Sequence, residues 1–401
     1  MQVISRFIKL VLATFCSIHV QAQTFKSTVV NAQNKQPIAD VSVFISNTSV
    51  GTTTAINGQF ELTRFPTGRF DLVISCVGYE TKVINTTSIE ILSIKIIELQ
   101  PKINQLDEVV LEPYEKNGWD KWGSFFIEQF IGTSDFSKQC KLLNSSIVKF
   151  RFNKKRNILN AYADEAILIE NKALGYLINY KLTNFEFNFS TRIFYYQGYP
   201  LFQEMKSTRA GRLKNWQENR VDAYNGSLMH FMRSLYRNKL VEQGFEVRKI
   251  IRKENLEKKR VQTVMKELIL NGQQISIGTD DSSMYYKNVM KQPNTQSFLI
   301  NTIIPSDSIA FAIDSVTVGL EFRDYLQVVY TKKKEPMAYA EYKMRKQVDG
   351  CVSEIYLPNA LGVMVFANGS YFNGINLITS EYWAWSEKMG NMLPLDYWPN
   401  K

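Results

Sequence analysis

Between Thr24 and Leu99, short runs of alternating apolar and polar residues follow one another about every 8–12 residues, each closed by a turn signal. TFKSTVV leads into NAQNKQPIAD and then the alternating VSVFIS. Asn57-Gly58 marks a turn ahead of QFEL, because both residues tolerate the positive φ of a tight hairpin. Pro66-Thr67-Gly68 turns the chain before RFDLVISCV. Gly78 breaks that run, YETKVI follows, and SIEILSIKIIEL closes the unit. An alternating strand has one face to bury, and strands this short bury it by stacking two sheets. The pattern predicts a seven-stranded β-sandwich over residues 23–100.

The strings PIADVSV (Pro37 to Val43), GTTT (Gly51 to Thr54), NGQFEL (Asn57 to Leu62), FPTGRFDL (Phe65 to Leu72) and VGYE (Val77 to Glu80) occur in that order. Together they resemble the carboxypeptidase regulatory-like domain, a transthyretin-like (prealbumin-like) sandwich. Ala55 stands where relatives often carry an acidic residue, so the resemblance implies no cation site at that turn. Gln100 to Leu111 (QPKINQLDEVVL) resembles the junction after the same domain in TonB-dependent outer-membrane receptors of Gram-negative bacteria. A plug and a transmembrane barrel follow in those receptors. No plug-like segment is recognisable here, so the likeness concerns the N-terminal domain and its exit, not transport. Further on, WQENRVDAYNGSLMHFMRSLY and SEYWAWSEKMGNMLPLDYWP resemble the body of exported carboxypeptidase-like regulatory domain-containing proteins. That likeness implies an address and an architecture rather than a mechanism.

Residues 1–22 read as a signal peptide. Arg6 and Lys9 form a basic start, Leu10 to Ile18 a short apolar run, and Val20-Gln21-Ala22 a small-residue cleavage pattern. Cys16 follows the bulky Phe15, which argues against a lipoprotein site. The expectation is an exported protein of the periplasm, outer membrane or cell surface, without a transmembrane span after cleavage. Its partners would be an envelope protein or glycan, and export argues against nucleic acid.

Cleavage leaves Cys76, Cys140 and Cys351, an odd number that permits one disulfide at most. Cys76, in an apolar strand, is read as a buried thiol, and Cys140 with Cys351 as the candidate pair. The formal charge of +10 gathers in Lys149–Arg156, Arg248–Arg260 and Lys332–Lys334. Such runs suit anionic glycans, lipopolysaccharide or lipid head groups, although solvated helix faces and hairpin ends produce them more often.

From residue 115 the composition shifts. Pro101, Pro113 and several charges mark residues 101–116 as a linker, and residues 117–401 as a larger β-rich α+β domain with one or two helices. Asn117 to Phe130 has helical spacing of Trp119, Trp122, Phe126 and Phe130. Residues 140–205 alternate as strands. Arg212 to Glu242 is the longest helical pattern, interrupted at Asn225-Gly226-Ser227, where Ser227 suits the N-cap of a second helix. VQTVMKELIL, QQISIG, SFLINTII, VTVGLEF, YLQVVYT, MAYAEYKM and GCVSEIYL read as strands. The chain as a whole is expected to be mainly β, in keeping with 13% aromatic residues.

Catalytic residues are scarce. The two histidines are His19, in the leader, and His230. Zinc peptidases of the kind that carry this sandwich need a His-x-x-Glu pair and a later His, but His230 is followed by Phe231, Met232 and Arg233. Zinc carboxypeptidase activity is therefore rejected, and no metal, cofactor or catalytic set is assigned. Ser146-Ile147-Val148-Lys149 matches Ser-x-x-Lys, but it lies in an alternating strand and no Lys-Thr-Gly follows. Asp164-Glu165 and Asp280-Asp281 are adjacent acids, which alone do not make a pair across a cleft. His230 and Arg233 form a candidate polar site, and a buried structural role is the simpler reading. Tyr195, Tyr196, Tyr199, Trp383, Trp385 and Trp398 are candidate ligand-contact aromatics, weighed against core packing. The leading expectation is a non-enzymatic binding or assembly protein of the envelope. The alternative is a carboxylate-based hydrolase of an envelope or dietary polymer.

Overall fold

The computed structural model describes residues 24–66, 68–102, 113–271, 281–358, 361–372 and 374–399. The expected leader, most of the expected linker (103–112), Asp280 and the strand expected at 273–278 lie outside them.

The N-terminal unit is a seven-stranded β-sandwich. Its strands are β1 (Thr24–Asn31), β2 (Ser42–Ile45), β3 (Gly51–Thr53), β4 (Gln59–Thr63), β5 (Arg69–Ser75), β6 (Lys82–Thr87) and β7 (Ile96–Leu99). One sheet has the order β4-β1-β7 and the other β3-β2-β5-β6. Alternation places Phe25, Val29, Phe60 and Leu62 of the first sheet against Val43, Ile45, Leu72 and Ile74 of the second. Gly58 turns β4 back toward β1 with φ +72°, and a Cβ there would come within 2.5 Å of the Val29 carbonyl. Pairing runs on past Leu99: the Lys102 N–H donates to Gly78 O at 2.8 Å.

The body has two halves. In the first, α1 (Gly118–Phe130) packs Phe126 and Phe130 onto a twisted sheet. Its strands are β8 (Cys140–Leu142), β9 (Val148–Asn153), β10 (Ile158–Ala163), β11 (Ile167–Asn171), β12 (Tyr176–Asn188) and β13 (Ile193–Glu204). The long β12–β13 hairpin is bulged between Leu182 and Asn184. Then come α2 (Ala210–Tyr224), α3 (Leu228–Tyr236) and the single turn α4 (Leu240–Gln243). The break between α2 and α3 falls where the sequence places it, and Ser227 caps α3 by accepting from the His230 N–H.

In the second half, β14 (Phe245–Glu254) is followed by α5 (Leu256–Leu270), α6 (Asp281–Lys291) and β15 (Thr295–Ile303). Next are β16 (Ala310–Ala312), β17 (Thr317–Leu320), β18 (Tyr325–Tyr330), α7 (Met337–Tyr342), β19 (Cys351–Tyr356), β20 (Val363–Phe366), β21 (Tyr371–Phe372), β22 (Ile378–Glu381) and α8 (Tyr382–Ser386). They form sheets β15-β14-β18-β19-β22 and β16-β17-β20-β21. The chain is mainly β, but the expectation of one or two helices is corrected. VQTVMKELIL lies in α5, which the Asn255 side chain caps by accepting from the Lys258 N–H. MAYAEY is α7, started by Pro336, whose carbonyl accepts from the Tyr339 N–H at 3.0 Å. Both are rich in Met, Ala, Glu, Lys or Leu, whose helix propensity outweighs a short alternating pattern.

The disulfide expectation is also corrected. Cys76, Cys140 and Cys351 are free thiols. Cys140 lies in β8 against the first half's core, and Cys351 in β19 within the core of the second, so the pair belongs to two different sheets. Burial pushes the Cys140 thiol up to about 12 and the Cys351 thiol up to about 11, which leaves both as inert thiols.

The sandwich is bound to the body through its β2–β3 turn. The Asn47 N–H donates to Pro200 O at 2.8 Å, and the Phe202 N–H to Thr48 O at 3.0 Å. The Leu395 N–H donates to Asn47 O at 2.7 Å, and the Ser49 N–H to the Asp396 carboxylate at 2.9 Å. Leu201 of β13 fills the apolar contact between Phe44 and Val73.

Candidate functional site

A groove of about 920 Å³ opens between the two halves of the body. One wall comes from α1 and the β12–β13 hairpin, with Phe125, Phe187, Phe189, Phe194, Tyr195 and Tyr196. The other comes from Tyr342, Tyr371, Ile375 and α8, and Glu387 and Lys388 line the same space. Alternation along β13 places Phe194 and Tyr196 on one face of the strand. Their rings stack 5.3 Å apart, and Tyr196 meets Phe130 of α1 edge-on at 5.4 Å. Phe125 and Phe189 stack at 5.3 Å, with Phe187 edge-on to both. This network of rings holds the wall in a fixed shape.

Polar groups lie among the rings. The Tyr195 hydroxyl donates to Gln197 Oε1 at 2.9 Å. Lys388 holds its ammonium 4.3 Å from the Phe194 ring centre, and burial pulls its pKa down to about 8 against the pull of Glu128. Glu387 lines the groove and two adjoining cavities of about 290 and 100 Å³. Burial pushes its carboxyl up to about 7, partly offset by the Leu228 N–H, which donates to Oε1 at 3.0 Å. The smallest of the three cavities is also lined by Ser386, whose buried hydroxyl has no hydrogen-bond partner.

The six candidate aromatics separate by burial. Tyr195 and Tyr196 line the groove. Tyr199 lies at the contact between sandwich and body. Trp383 backs the groove but is 1% exposed, and its indole N–H donates to Gly226 O at 2.8 Å. Trp385 is likewise buried and donates to Thr133 Oγ1 at 2.9 Å. Trp398 stacks on Arg233 at 3.8 Å. Trp383 and Trp385 are packed within the core of the second half.

His230 and Arg233 lie together on α3 but away from the groove, both buried. His230 Nδ1 accepts from the Gly226 N–H at 3.2 Å, which puts the ring proton on Nε2, facing Gln243 Oε1 at 3.2 Å. Burial pulls its pKa down to about 4. Arg233 donates to three backbone carbonyls. Both side chains are engaged within the fold. Lys149 of the Ser-x-x-Lys match forms an exposed ion pair with Asp164 at 3.0 Å, which accounts for both motifs. Among the described residues no group of three or more His, Cys, Asp or Glu is placed to hold a metal ion.

Sequence reasoning missed Glu387 and Lys388, along with Phe125, Phe187 and Phe189. The available signal was two charged residues, Glu387 and Lys388, one residue after the aromatic run YWAW and just before the apolar Met389.

Residues 25–111 match the CarboxypepD_reg-like domain family. The N-terminal unit is thus similar to a regulatory-like domain. TonB-dependent receptor P39 of Formosa agariphila is 30% identical over 105 residues, which are 26% of this chain and 10% of the receptor. The chain thus matches about a tenth of that relative's length. Among solved structures, a type II cohesin–X-dockerin complex of Acetivibrio cellulolyticus shows 25% identity over 20% of this chain and 51% of its own, with a TM-score of 0.15. A membrane-associated protein of unknown function from Bacteroides fragilis shows 9% identity over 90% of this chain and 94% of its own, with a TM-score of 0.16. Neither structural likeness bears on the groove.

Proposed function

We propose that the protein is an exported, non-enzymatic binding or assembly protein of the cell envelope, whose ligand lies in the groove between the two halves of the body. The observation that carries this reading is the aromatic wall: Phe125, Phe187, Phe189, Tyr195 and Tyr196 line one open groove and keep part of their surface free. Rings fixed in this way offer flat faces to a sugar ring or an extended peptide at little entropic cost. Glu128, Arg192 and Lys388 add charges of both signs, as a polar polymer segment requires. The sandwich is the docking module, in keeping with its family. The leader-like residues 1–22 and the likeness to a TonB-dependent receptor support an envelope address.

The test is a titration of the protein with solubilised envelope glycan and, separately, with envelope protein fractions, read by tryptophan fluorescence. Trp122 lies 5.9 Å from Phe189 and reports on the groove. Saturable quenching by one ligand class, lost in Tyr195→Ala and Phe189→Ala, is the expected result. Quenching unchanged in both variants refutes the groove as the site.

One observation favours the hydrolase reading. Glu387, whose carboxyl burial raises to about 7, lines the same groove as Glu128, and two carboxyl groups facing one cleft are what glycoside cleavage uses. Release of reducing ends from envelope glycan by the wild type, abolished in both Glu387→Gln and Glu128→Gln, would establish this reading over binding alone.

A further inference from the structure

A second surface of the body has a different chemistry. Between β14 and β15 the chain leaves the sheet to form α5 and α6, two helices that pack against each other. From residue 255 to residue 294 the buried residues, among those described, are Asn255, Val261 and Val289. The described residues of the lobe therefore bury few side chains of their own. Its larger apolar side chains stand in solvent instead: Leu256 is 72% exposed, Ile269 64%, Leu270 84% and Met284 54%. Large apolar groups left uncovered at both ends of α5 and on α6 mark an interaction surface.

The cations of the lobe divide into two sets. Lys259 and Arg260 pair with Glu254 and Glu257. Lys266, Lys287 and Lys291 meet no carboxylate among the described residues, and Lys258 reaches only the Gln292 carbonyl. Lys253, at the base, lies over the Phe298 ring at 5.8 Å. Exposed apolar side chains interspersed with lysines that form no ion pair among the described residues make a surface that an anionic bilayer complements. The apolar groups enter the acyl boundary while the long lysine stems carry their charges to the head groups.

We propose that the α5–α6 lobe docks the protein on an anionic phospholipid surface. The lysines are spread over two helices and a strand end, with no regular spacing. A protein partner would have to match each with a fixed carboxylate, whereas a fluid layer of anionic head groups satisfies them at any spacing. The surface is separate from the groove, so the proposal stands or falls independently of the ligand that the groove takes.

The test is co-sedimentation of the full chain with vesicles of phosphatidylcholine alone or containing about one-third phosphatidylglycerol, an anionic surface of the kind that attracts basic segments. All variants share the same N-terminus, so any binding by the apolar leader is common to them and cancels. The wild type is expected to bind the anionic vesicles at least about tenfold more tightly and to lose affinity as salt is raised. Lys266→Gln/Lys287→Gln/Lys291→Gln is expected to remove the preference, at roughly fivefold per lysine. Ile269→Ser/Leu270→Ser is expected to weaken binding to both vesicles about tenfold or more. These side chains are exposed, and an unchanged melting temperature verifies folding; Leu270→Ser alone is the milder substitute. Equal binding to both vesicles, or affinity unchanged in either variant, overturns the proposal. So does a dimer in sedimentation equilibrium that Ile269→Ser/Leu270→Ser dissociates, because the lobe would then be covered by a second copy of the chain.

Discussion

The guanidinium of Arg233 lies 3.8 Å from the centre of the Trp398 ring, while its nitrogens donate to Asn368 O, Tyr397 O and Leu395 O at 2.8–3.0 Å. At 1% exposure it is a buried cation that spends its donors on backbone carbonyls from two separate segments. One of those segments, the tail at 395–398, also holds the β2–β3 turn of the sandwich through Leu395 and Asp396. Arg233 therefore secures the tail, and through the tail the sandwich.

Arg233→Met should cost about 3–5 kcal/mol, because it leaves buried carbonyls without donors and an aromatic ring without its cap. Removing residues 395–401 should cost a similar amount. The two changes should not add, since each breaks the same contacts. Urea denaturation of the single and double variants measures the coupling. Full additivity would mean that the tail is held by something else.

His230 is the only histidine beyond residue 22, so a chain beginning at residue 23 gives one imidazole signal. Its pKa is pulled from 6.5 to about 4, first by burial and then by the charges of Arg233 and Lys332. A folded-state pKa below the unfolded one means that the unfolded chain takes up a proton first. Stability is lost as pH falls from about 6.5 toward about 4. Proton NMR should show the ring neutral at pH 6, and His230→Gln should flatten the acid limb of the stability profile. A ring titrating near 6.5 would contradict the Gly226–His230–Gln243 arrangement.

Leu201 joins the two units by inserting between Phe44 and Val73, at 8% exposure. Leu201→Glu should place a charge in that contact and cost about 3 kcal/mol. The sandwich has its own core of Phe25, Val29, Leu62, Leu72 and Ile74, so it should outlast the contact. Calorimetry should show one transition in the wild type and two in the variant. A single transition in both would mean that the units do not unfold separately.

The sandwich was legible because turn chemistry and alternation agree at every step, from Asn57-Gly58 to the run RFDLVIS. The Ser227 cap was legible for the same reason: a local hydrogen bond needs only local sequence. α5 and α7 were misread because short apolar runs satisfy both periods, and length and capping decide between them. At the groove, the sequence pointed to Tyr195 and Tyr196 but could not separate them from Trp383 and Trp385. A strand or helix shows which residues share a face, not which face is later covered. Glu387 was invisible because a carboxylate is ordinarily solvated. Its burial arises where α3, α8 and the tail converge, segments about 150 residues apart in sequence.

Glu387 gives the sharpest test of the groove's interior. Its carboxyl is raised from 4.5 to about 7, by burial first, with the Leu228 N–H pulling the other way. The folded protein therefore holds this proton more tightly than the unfolded chain does. The stabilisation is complete below pH 4.5, fades as the unfolded carboxyl ionises, and is gone once pH passes about 7. Above that, an ionised carboxylate sits where the protein solvates it poorly. The full shift would exceed 3 kcal/mol at ~1.4 kcal/mol per unit, but Glu387 borders an open groove, and screening by water brings the expectation to about 1–2 kcal/mol. Glu387→Gln keeps an oxygen for the Leu228 N–H and removes the ionisation. Measured by urea denaturation, the variant should match the wild type at pH 4 and exceed it by about 1–2 kcal/mol at pH 8. His230 titrates alike in both proteins and drops out of the difference. A variant no more stable than the wild type at pH 8 would mean that the carboxylate is well solvated at neutrality. The hydrolase reading would then lose its proton donor, and the groove would remain a binding surface alone.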